Sequence, residues 1–369
     1  MGLEMNLFIT LLVVCGFVLL LCLGIVLSGK LLGQSGEVEI NINNQKSFSA
    51  KRGEKLLAAL SEGDIHLPAA CGGKGNCGRC KIKVLSGGGP VTSLEKIILT
   101  DDELKSSQRL ACQVKLREPM NVEVPEELLN AISFKATLIE IKNVAYKIKN
   151  LRFKLEDGKK LEFKAGQYVQ VYRELPWEKA IRAYSISSSP NSADEFSLDV
   201  QQIEGGLMST WLHECKTGTS MEFTGPYGDM YVKDSPSVLL VAGGVGLAPM
   251  RSIVADLIEK GYKGNITLFH GARSRKNLYC EDEYKNIAKK HKNFSYIPVL
   301  SEPALEDGWT GSTGLVTTVV GEWLGNNNLS QSELQAYLCG PSKMMEAATS
   351  VLVMNGISPE NIHSDPFSF

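Results

Sequence analysis

Between residues 35 and about 232 the apolar positions mostly alternate with polar ones, which is the period of a half-buried strand. Val38, Ile40 and Ile42 fall on one face of the first predicted strand, and a brief helical stretch is predicted at 55–60. The later alternating runs, separated by Gly and Asp, are 136–142, 148–155 and 167–172. Short strands with turn residues between them predict a small β-rich unit followed by an antiparallel barrel.

From residue 237 onward, continuous apolar runs alternate with helical spacing. The run 238–242 is apolar throughout, as in a buried parallel strand, and glycines follow it. Apolar residues then recur at i, i+3, i+4, i+7 and i+8, namely Met250, Ile253, Val254, Leu257 and Ile258. Pro249 stands at the predicted first helical position and Gly261 at the predicted stop. Further strands are predicted at 266–269, 296–300 and 336–339, and a helix at 342–354. This alternation predicts a doubly wound α/β domain.

The segment 7–27 carries no charged residue and, as a helix, would span roughly 32 Å at about 1.5 Å per residue. A signal peptide would show a positive first region and a shorter apolar stretch, whereas here Glu4 precedes the segment and no Lys or Arg does. A buried core helix is disfavoured because the segment is apolar all round. Lys30, Lys46 and Lys51 follow it, so the positive-inside rule places the rest of the chain in the cytoplasm. We expect a single transmembrane anchor.

Composition adds less. The 369 residues carry a formal net charge of −2 without a basic block, which gives no indication of nucleic-acid binding. The chain is long enough for several domains. The patterns predict a transmembrane anchor and linker at 1–34, a β-rich unit at 35–128, an antiparallel barrel at 129–232 and an α/β domain at 233–369.

Four cysteines, Cys71, Cys77, Cys80 and Cys112, are spaced C-x5-C-x2-C-x31-C, and glycines fill the gaps between the first three. A 2Fe-2S cluster needs four thiolates and a loop that can wrap closely around it, and this spacing is near the plant-type ferredoxin pattern. Structural zinc sites more often use two separated cysteine pairs or include histidine. A disulfide framework is disfavoured in so large a chain with scattered cysteines. We therefore expect these four thiolates to bind a 2Fe-2S cluster, with Cys112 on a strand-like segment at 110–116.

Arg182, Tyr184 and Ser185 form an R-x-Y-S motif within the predicted barrel. A guanidinium suits a pyrophosphate, an aromatic ring can lie beside a flat flavin, and a hydroxyl can sit near the redox nitrogen of the flavin. Taken alone, four residues can also be an ordinary strand.

A second candidate follows some 20 residues later, at Gly206, Ser209 and Thr210. A glycine and hydroxyls at this spacing can open a helix whose first N–H groups face a phosphate. The plainer interpretation is an ordinary helix N-cap. Both interpretations predict a helix that begins near Gly206.

The α/β region carries a glycine loop between its first strand and its first helix, and a Cys-Gly-Pro sequence at the end of a later strand. The residues concerned are Gly244, Gly246, Pro249, Cys339, Gly340 and Pro341. A glycine loop at this position lets a pyrophosphate approach the helix N-terminus, and ligands bind at the carboxyl ends of the strands in such sheets. Cys339 could touch a nicotinamide ring, or it could be a buried thiol before a turn.

Basic residues follow the second predicted α/β strand: Arg273, Arg275 and Lys276. At this position they could bind the 2′-phosphate of NADPH, or they could form a solvated basic turn. The residues alone leave the choice between NADH and NADPH open.

In this order, the motifs resemble those of the ferredoxin–NADP reductase superfamily. The loop CGGKGNCGRC with the N-terminal apolar segment, and later SGGG and RLACQV, resembles the F subunits of sodium-translocating NADH:quinone oxidoreductases. The stretches Gly271–Ser274, Trp309–Gly311 and Asp365–Phe367 extend the resemblance to the end of the chain. Two departures are the short connection 171–181, where that family has a long insertion, and the C-terminus, which has Phe367 and a second aromatic residue, Phe369.

The resemblance implies a β-grasp-like ferredoxin domain, an FAD-binding barrel and an NAD(P)H-binding α/β domain. It also implies an oxidoreductase in a bacterial inner membrane, which transfers electrons from NADH through FAD and the 2Fe-2S cluster to other membrane subunits and ultimately to quinone, coupled to sodium translocation. Arg182 would hold the flavin pyrophosphate, Ser185 would lie near flavin N5, Phe367 would cover the flavin, and Cys339 would line the nicotinamide site.

Two other functions remain open from the residues. One is an anchored reductase with the same cofactors that supplies an oxygenase, a desaturase or another membrane acceptor. The short connection 171–181 favours this alternative. The other is a non-catalytic anchored module that binds a cluster or zinc and whose α/β part docks a partner.

Overall fold

The chain forms two compact units in a computed structural model. The described residues are 9, 12–24, 36–175, 179–192, 194–233, 235–327 and 334–367. The first unit comprises Met1–Gly63 and Lys81–Val124, and the second comprises Asp64–Cys80 and Pro125–Phe369.

The predicted transmembrane segment 7–27 extends beyond the described residues. Within it, residues 12–24 are helical, and the apolar side chains of Phe17, Leu19 and Leu20 are exposed. In the part of the chain that the structure describes, no helix combines the length and the apolar character needed to cross a bilayer. The anchor stays a prediction.

The first unit contains a five-stranded sheet with the order β2-β1-β5-β3-β4. Its strands are β1 Glu37–Ile42, β2 Lys46–Lys51, β3 Lys81–Ser86, β4 Gln108–Leu110 and β5 Met120–Glu123. The alternating residues Val38, Ile40 and Ile42 are buried on one face of β1, as predicted. Helix α1, Leu56–Glu62, confirms the predicted helical stretch. Two short helices, α2 Ser93–Ile98 and α3 Asp101–Lys105, begin at capping boxes that satisfy their first backbone N–H groups.

A buried ion pair fixes the loop that follows β3. The guanidinium of Arg109 on β4 contacts both carboxylate oxygens of the fully buried Glu95, at 2.8 and 3.0 Å. The same guanidinium donates to the carbonyl oxygens of Gly88, Gly89 and Pro90. Because its donors meet carboxylate and carbonyl acceptors, the charge is compensated within the unit, and the glycine-rich loop has a defined position.

The prediction of a strand-like segment at 110–116 is wrong. Strand β4 ends at Leu110, and the N–H of Gln113 donates to the carbonyl oxygen of Leu110 at 2.7 Å. This hydrogen bond closes a turn over Cys112. The flanking backbone bonds to residues 53–57 through single hydrogen bonds and an isolated bridge between Lys55 and Lys115, without forming a continuous strand.

In the second unit, helix α4 Glu126–Leu129 precedes a six-stranded antiparallel sheet with the order β10-β7-β6-β11-β8-β9. Its strands are β6 Ile132–Ala145, β7 Ile148–Leu155, β8 Tyr168–Glu174, β9 Lys179–Ser185, β10 Glu195–Gln201 and β11 Ser220–Tyr227. A bridge between Ile186, just after β9, and Leu198 on β10 joins the two edges of the sheet into a barrel. The barrel core is aromatic, and its ring contacts involve Phe134, Phe153, Phe196 and Phe223. Helix α5, Leu207–Glu214, packs beside β10.

The remainder is a parallel six-stranded sheet with the order β15-β14-β13-β12-β16-β17. Its strands are β12 Ser237–Gly243, β13 Asn265–Ala272, β14 Phe294–Leu300, β15 Ser312–Thr313, β16 Leu334–Pro341 and β17 Ile362–Phe367. Its helices are α6 Leu247–Glu259, α7 Glu281–Lys290, α8 Val316–Asn326 and α9 Ser342–Met354. The strand order reverses at β12, which has β13 on one side and β16 on the other, so a crevice is expected at the carboxyl ends of these three strands.

Most of the predicted α/β elements are confirmed, including the helix at 342–354, but one boundary differs. Helix α6 begins at Leu247 after a 3-10 turn at Gly244–Gly246, so Pro249 lies inside its first turn and is not the first helical residue. Gly261 has φ +64° and ends the helix as predicted, because Tyr262 and Gly261 donate back to Leu257 and Ile258.

Candidate functional site

The loop that carries the first three cysteines is built from left-handed glycines. Gly72, Gly73, Gly75 and Gly78 all have positive φ values, which other residues rarely adopt. None of the nine cysteines forms a disulfide. The thiols of Cys71 and Cys77 hydrogen-bond to each other, and this bond lowers the pKa of Cys71 and raises the pKa of Cys77. Cys71 is therefore the more acidic thiol of the pair, and the thiolate is the form that binds metal. The donor set and the loop conformation therefore fit the predicted 2Fe-2S cluster.

The four predicted ligands lie in both units. Cys71, Cys77 and Cys80 belong to the loop of the second unit, where Cys71 and Cys77 contact each other and Cys80 is buried, and Cys112 lies in the turn after β4 of the first unit. Among the described residues, no three His, Cys, Asp or Glu side chains converge on one metal position. Gln113 donates from its side-chain amide to the Cys112 sulfur at 3.4 Å, the kind of contact that orients a thiolate ligand.

The R-x-Y-S motif lies on β9, which pairs with β8 along its whole length. Ser185 is buried opposite Tyr168, and burial raises the pKa of the Tyr184 phenol, so both side chains are neutral at physiological pH. Nη1 of Arg182 donates to the carbonyl oxygen of Ile181 at 2.7 Å, and a guanidinium has further donors that can bind an anion.

Helix α5 begins at Leu207 with Gly206 as its N-cap, near the predicted position, and a glycine provides no side chain to cap the first N–H groups. The Ser209 hydroxyl donates to the carbonyl oxygen of Gly206 and accepts from the N–H of Ile203, so it stabilises the turn rather than facing outward. Thr210 bonds to Gly206 only through its backbone. The guanidinium of Arg173 stacks over Trp211 on the same helix, 5.1 Å from the ring centroid. An uncapped helix start with a cation nearby fits a flavin pyrophosphate.

A cavity of about 1070 Å³ lies at the carboxyl edge of the parallel sheet. Gly243 and Gly244 line it at the end of β12, Arg273 and Ser274 after β13, and Pro341 at the end of β16. This is the edge at which the strand order reverses, and the volume suits a large ligand such as a dinucleotide. The structure therefore brings Gly244, Arg273 and Pro341 together, in agreement with their predicted proximity.

Gly246 and Gly340 are needed for close backbone packing beside this cavity. A Cβ on Gly246 would lie 2.1 Å from the carbonyl oxygen of Cys339, and one on Gly340 would lie 3.2 Å from Cα of Gly243. Cys339 itself is fully buried, does not line the cavity, and has its pKa raised by burial. Its thiol packs in the core of the parallel sheet, and its contact with a nicotinamide ring stays a prediction.

Most of the charged residues that line the cavity are basic. Lys147, Arg273, Lys276 and Lys343 line it, together with the carboxylate of Glu302. Arg275 instead pairs with Glu281 at 3.3 Å and lies over Trp309. Of the three basic residues considered for a 2′-phosphate, Arg273 and Lys276 are thus placed at the cavity and Arg275 has other partners.

Phe367, the residue predicted to cover a flavin, ends β17 beside Pro341 on β16. It is half-buried against the core of the parallel sheet, and its carbonyl oxygen accepts from the Ser342 hydroxyl at 3.3 Å. Phe369 lies outside the described residues.

A buried polar network joins the barrel to the parallel sheet. The carboxylate of Asp199 on β10 is fully buried and contacts Nη1 of Arg251 on α6 at 2.9 and 3.0 Å. It also accepts from Asn150 at 2.7 Å, Ser187 at 3.2 Å and Tyr279 at 3.2 Å. The motifs of the sequence do not predict this network. The one available signal was a charged residue inside the apolar alternation of a strand, at Asp199.

Three family models match successive parts of the chain. The 2Fe-2S iron-sulfur cluster binding domain matches residues 40–117, the oxidoreductase FAD-binding domain matches 135–231, and the oxidoreductase NAD-binding domain matches 240–350. Their order is that of the cysteine loop, the barrel and the parallel sheet.

Relatives cover nearly the whole chain. The F subunit of the Na(+)-translocating NADH-quinone reductase of Serratia proteamaculans is 31% identical over 394 residues, with 95% of this chain and 97% of the relative covered. The protein of the same name from Mannheimia succiniciproducens is 32% identical over 392 residues, with 95% and 96% covered. Among solved structures, the Amycolatopsis cytochrome P450 reductase GcoB is 27% identical with a TM-score of 0.73, and 89% of this chain and 98% of that chain are covered.

Proposed function

Because the chain belongs to the family of the F subunits of Na(+)-translocating NADH-quinone reductases, we propose that it is the NADH-oxidising component of a sodium-translocating quinone reductase. It is a flavin-dependent oxidoreductase that binds NADH, FAD and a 2Fe-2S cluster. The observation that carries the proposal is that one chain contains all three binding regions in this order.

The cofactors supply the redox chemistry: FAD accepts a hydride from NADH, and the 2Fe-2S cluster carries single electrons onward. The chain supplies placement and charge. Cys71, Cys77, Cys80 and Cys112 would provide the thiolates of the cluster. The uncapped start of α5 and the guanidinium of Arg182 would hold the flavin pyrophosphate, and Ser185 would face the flavin ring.

The nucleotide would occupy the cavity at the carboxyl edge of the parallel sheet. Gly244 and Gly246 allow a phosphate to approach the start of α6. Pro341 lines the cavity at the end of β16, and Gly340 lets the backbone there pack against Gly243. Arg273 would contact the adenosine part of the nucleotide at the mouth of the cavity. Phe367, at the adjoining end of β17, would cover the flavin until the nicotinamide ring replaces it.

The electron acceptor is proposed from the family. The other subunits of the complex would take electrons from the cluster and reduce quinone, with sodium translocation in those subunits. A span at 7–27 would hold the chain in a bacterial inner membrane with its redox domains in the cytoplasm. We propose domain boundaries near residues 34, 128 and 232, which separate the anchor, the 2Fe-2S domain, the FAD-binding barrel and the NADH-binding domain.

The proposal predicts a sodium-stimulated, quinone-dependent NADH oxidation in membranes that contain the protein. Deletion of its gene should abolish that activity, and the wild-type gene should restore it. The control is NADH oxidation that requires no sodium, which should persist in the deletion strain through other dehydrogenases. If sodium-stimulated quinone reduction is unchanged after deletion, the quinone reductase assignment is wrong.

The second candidate function is a reductase that supplies an oxygenase. This chain is similar to the cytochrome P450 reductase GcoB over nearly the whole length of that protein, which favours the second candidate. The short connection 171–181, across which β8 pairs directly with β9, favours it as well. In that case the purified protein would oxidise NADH with an oxygenase acceptor, and sodium would have no effect.

A further inference from the structure

The loop Asp64–Cys80, which carries three of the four cluster ligands, contacts the flavin barrel through one buried amide. Gln170 on β8 is fully buried. Its Oε1 accepts from the backbone N–H of Ala69 at 3.0 Å, and its Nε2 donates to the carbonyl oxygen of Leu67 at 3.3 Å. One side chain therefore satisfies two backbone groups of the loop, 101 and 103 residues away in the sequence.

A second barrel residue binds the same segment. The hydroxyl of Tyr227 on β11, which is almost completely buried, donates to the carbonyl oxygen of His66 at 3.0 Å. The loop also comes close to the R-x-Y-S strand: a Cβ on Gly72 would lie 3.1 Å from Nη1 of Arg182 and 3.5 Å from the carbonyl oxygen of Ile181. Only a glycine next to Cys71 permits so close an approach at this left-handed φ of +67°.

The far end of the loop is held by an ion pair. Arg79, between Cys77 and Cys80, donates from Nη2 to Oδ1 of Asp365 on β17 at 2.6 Å. Both side chains are largely shielded from solvent, with exposed fractions of 33% and 18%. Asp365 stands two residues before Phe367 on the same strand. The ion pair therefore connects the cysteine loop to the strand that ends at the proposed flavin cover.

We propose that Gln170 and the Arg79–Asp365 pair are positioning residues that hold the cluster loop against the flavin site for electron transfer from the reduced flavin to the oxidised cluster. One electron moves in each transfer, no covalent bond forms or breaks, and NADH supplies the electrons. This inference rests on the proposed function. The contacts come from β8 and β17. Strand β8 lies beside the R-x-Y-S motif, and β17 lies beside the nucleotide cavity. The strands that flank the proposed flavin and nucleotide sites therefore also hold the loop.

The test uses the full-length protein with its cofactors and the variant Gln170→Met, which keeps a similar volume and removes both hydrogen bonds. We expect NADH to reduce the flavin at the wild-type rate. Reduction of the cluster should slow by about tenfold or more, because a small displacement of the cysteine loop strongly lowers the rate of electron transfer from the flavin. The backbone amide of Ala69 should exchange its hydrogen faster. The matched control is Gln167→Met, which breaks bonds to Lys164 and Gly228 within the barrel and should leave both rates unchanged.

The ion pair is tested by Arg79→Gln and Asp365→Asn, each of which should slow cluster reduction. Their effects on the reduction potential should be opposite, because removing a positive charge near the cluster lowers the potential and removing a negative charge raises it. Wild-type cluster reduction in all three variants, with faster exchange at Ala69, would overturn the inference. Absence of flavin reduction by NADH in the wild-type protein would instead contradict the proposed function.

Discussion

Replacing Cys77 with serine should abolish electron delivery to quinone and leave NADH-dependent reduction of the flavin intact. Cys77 has two properties expected of a cluster ligand: its thiol contacts that of Cys71, and it lies on a loop of left-handed glycines. Serine is a poor replacement for a thiolate ligand, so the cluster should be lost. The nucleotide cavity is built from other strands, so hydride transfer to the flavin should continue at the wild-type rate.

The measurement pairs two assays on the same preparation: quinone reduction in membranes, and NADH oxidation with a dye that accepts electrons from reduced flavin. Cys215→Ser is the matched control, because Cys215 lies at the end of α5 outside the cysteine motif. It should retain both activities. Retention of the EPR signal of the cluster in Cys77→Ser would show that Cys77 is not a required ligand. Equal loss of both activities would show that the cysteine loop is needed for the flavin step itself.

The second large effect is expected at Asp199. Replacing it with leucine removes the nearest carboxylate from the largely buried Arg251, whose other ion-pair partner, Glu283, is 3.7 Å away and half exposed. It also removes an acceptor from Asn150, Ser187 and Tyr279. Breaking a buried pair by removing one partner costs about 3–5 kcal/mol of unfolding free energy. Because the pair joins β10 of the barrel to α6 of the parallel sheet, hydride transfer should also slow by about tenfold to a hundredfold through misplacement of the nucleotide.

Urea unfolding and the rate of flavin reduction by NADH measure the two effects. The double variant Asp199→Leu with Arg251→Met should recover at least about half of the lost free energy, since the unpaired charge is then also removed. Asp194→Leu is the control, because Asp194 is exposed just before β10 and should change stability by no more than about 0.5 kcal/mol. A single variant that is as stable as wild type would contradict the assigned role of the network.

The 2Fe-2S domain and the glycine loop after β12 could be predicted because their signals are local. The three cysteines of one loop stand within ten residues of each other, and Gly244 and Gly246 directly follow a buried strand. Such spacing indicates which group is bound even when the tertiary structure is unknown. The prediction that Cys112 lies on a strand was wrong because the local pattern is ambiguous there. A turn whose residues are buried has the same apolar pattern as a short strand.

The positioning residues could not be predicted, because each acts on a distant part of the sequence. Arg79 and Asp365 are 286 positions apart, and Asp199 and Arg251 are 52 apart. Nothing in the local pattern distinguishes Arg79, Arg251 and Asp365 from surface charges, and only Asp199 stands within the apolar run of a strand. Helix α7 was missed because most of its residues are charged and only Tyr284 is buried, so the apolar spacing that marked α6 and α9 is missing. The burial of Cys339 became visible only from its position within β16.

The central claim is that NADH reduces both the FAD and the 2Fe-2S cluster that this one chain binds. Anaerobic titration of the purified full-length protein with NADH, followed by flavin absorbance and the EPR signal of the reduced cluster, tests it directly. Two electrons on FAD and one on the cluster require about one and a half molecules of NADH per protein, and both signals should change before that point. Uptake that stops at about one molecule of NADH, with no cluster signal, would contradict the account.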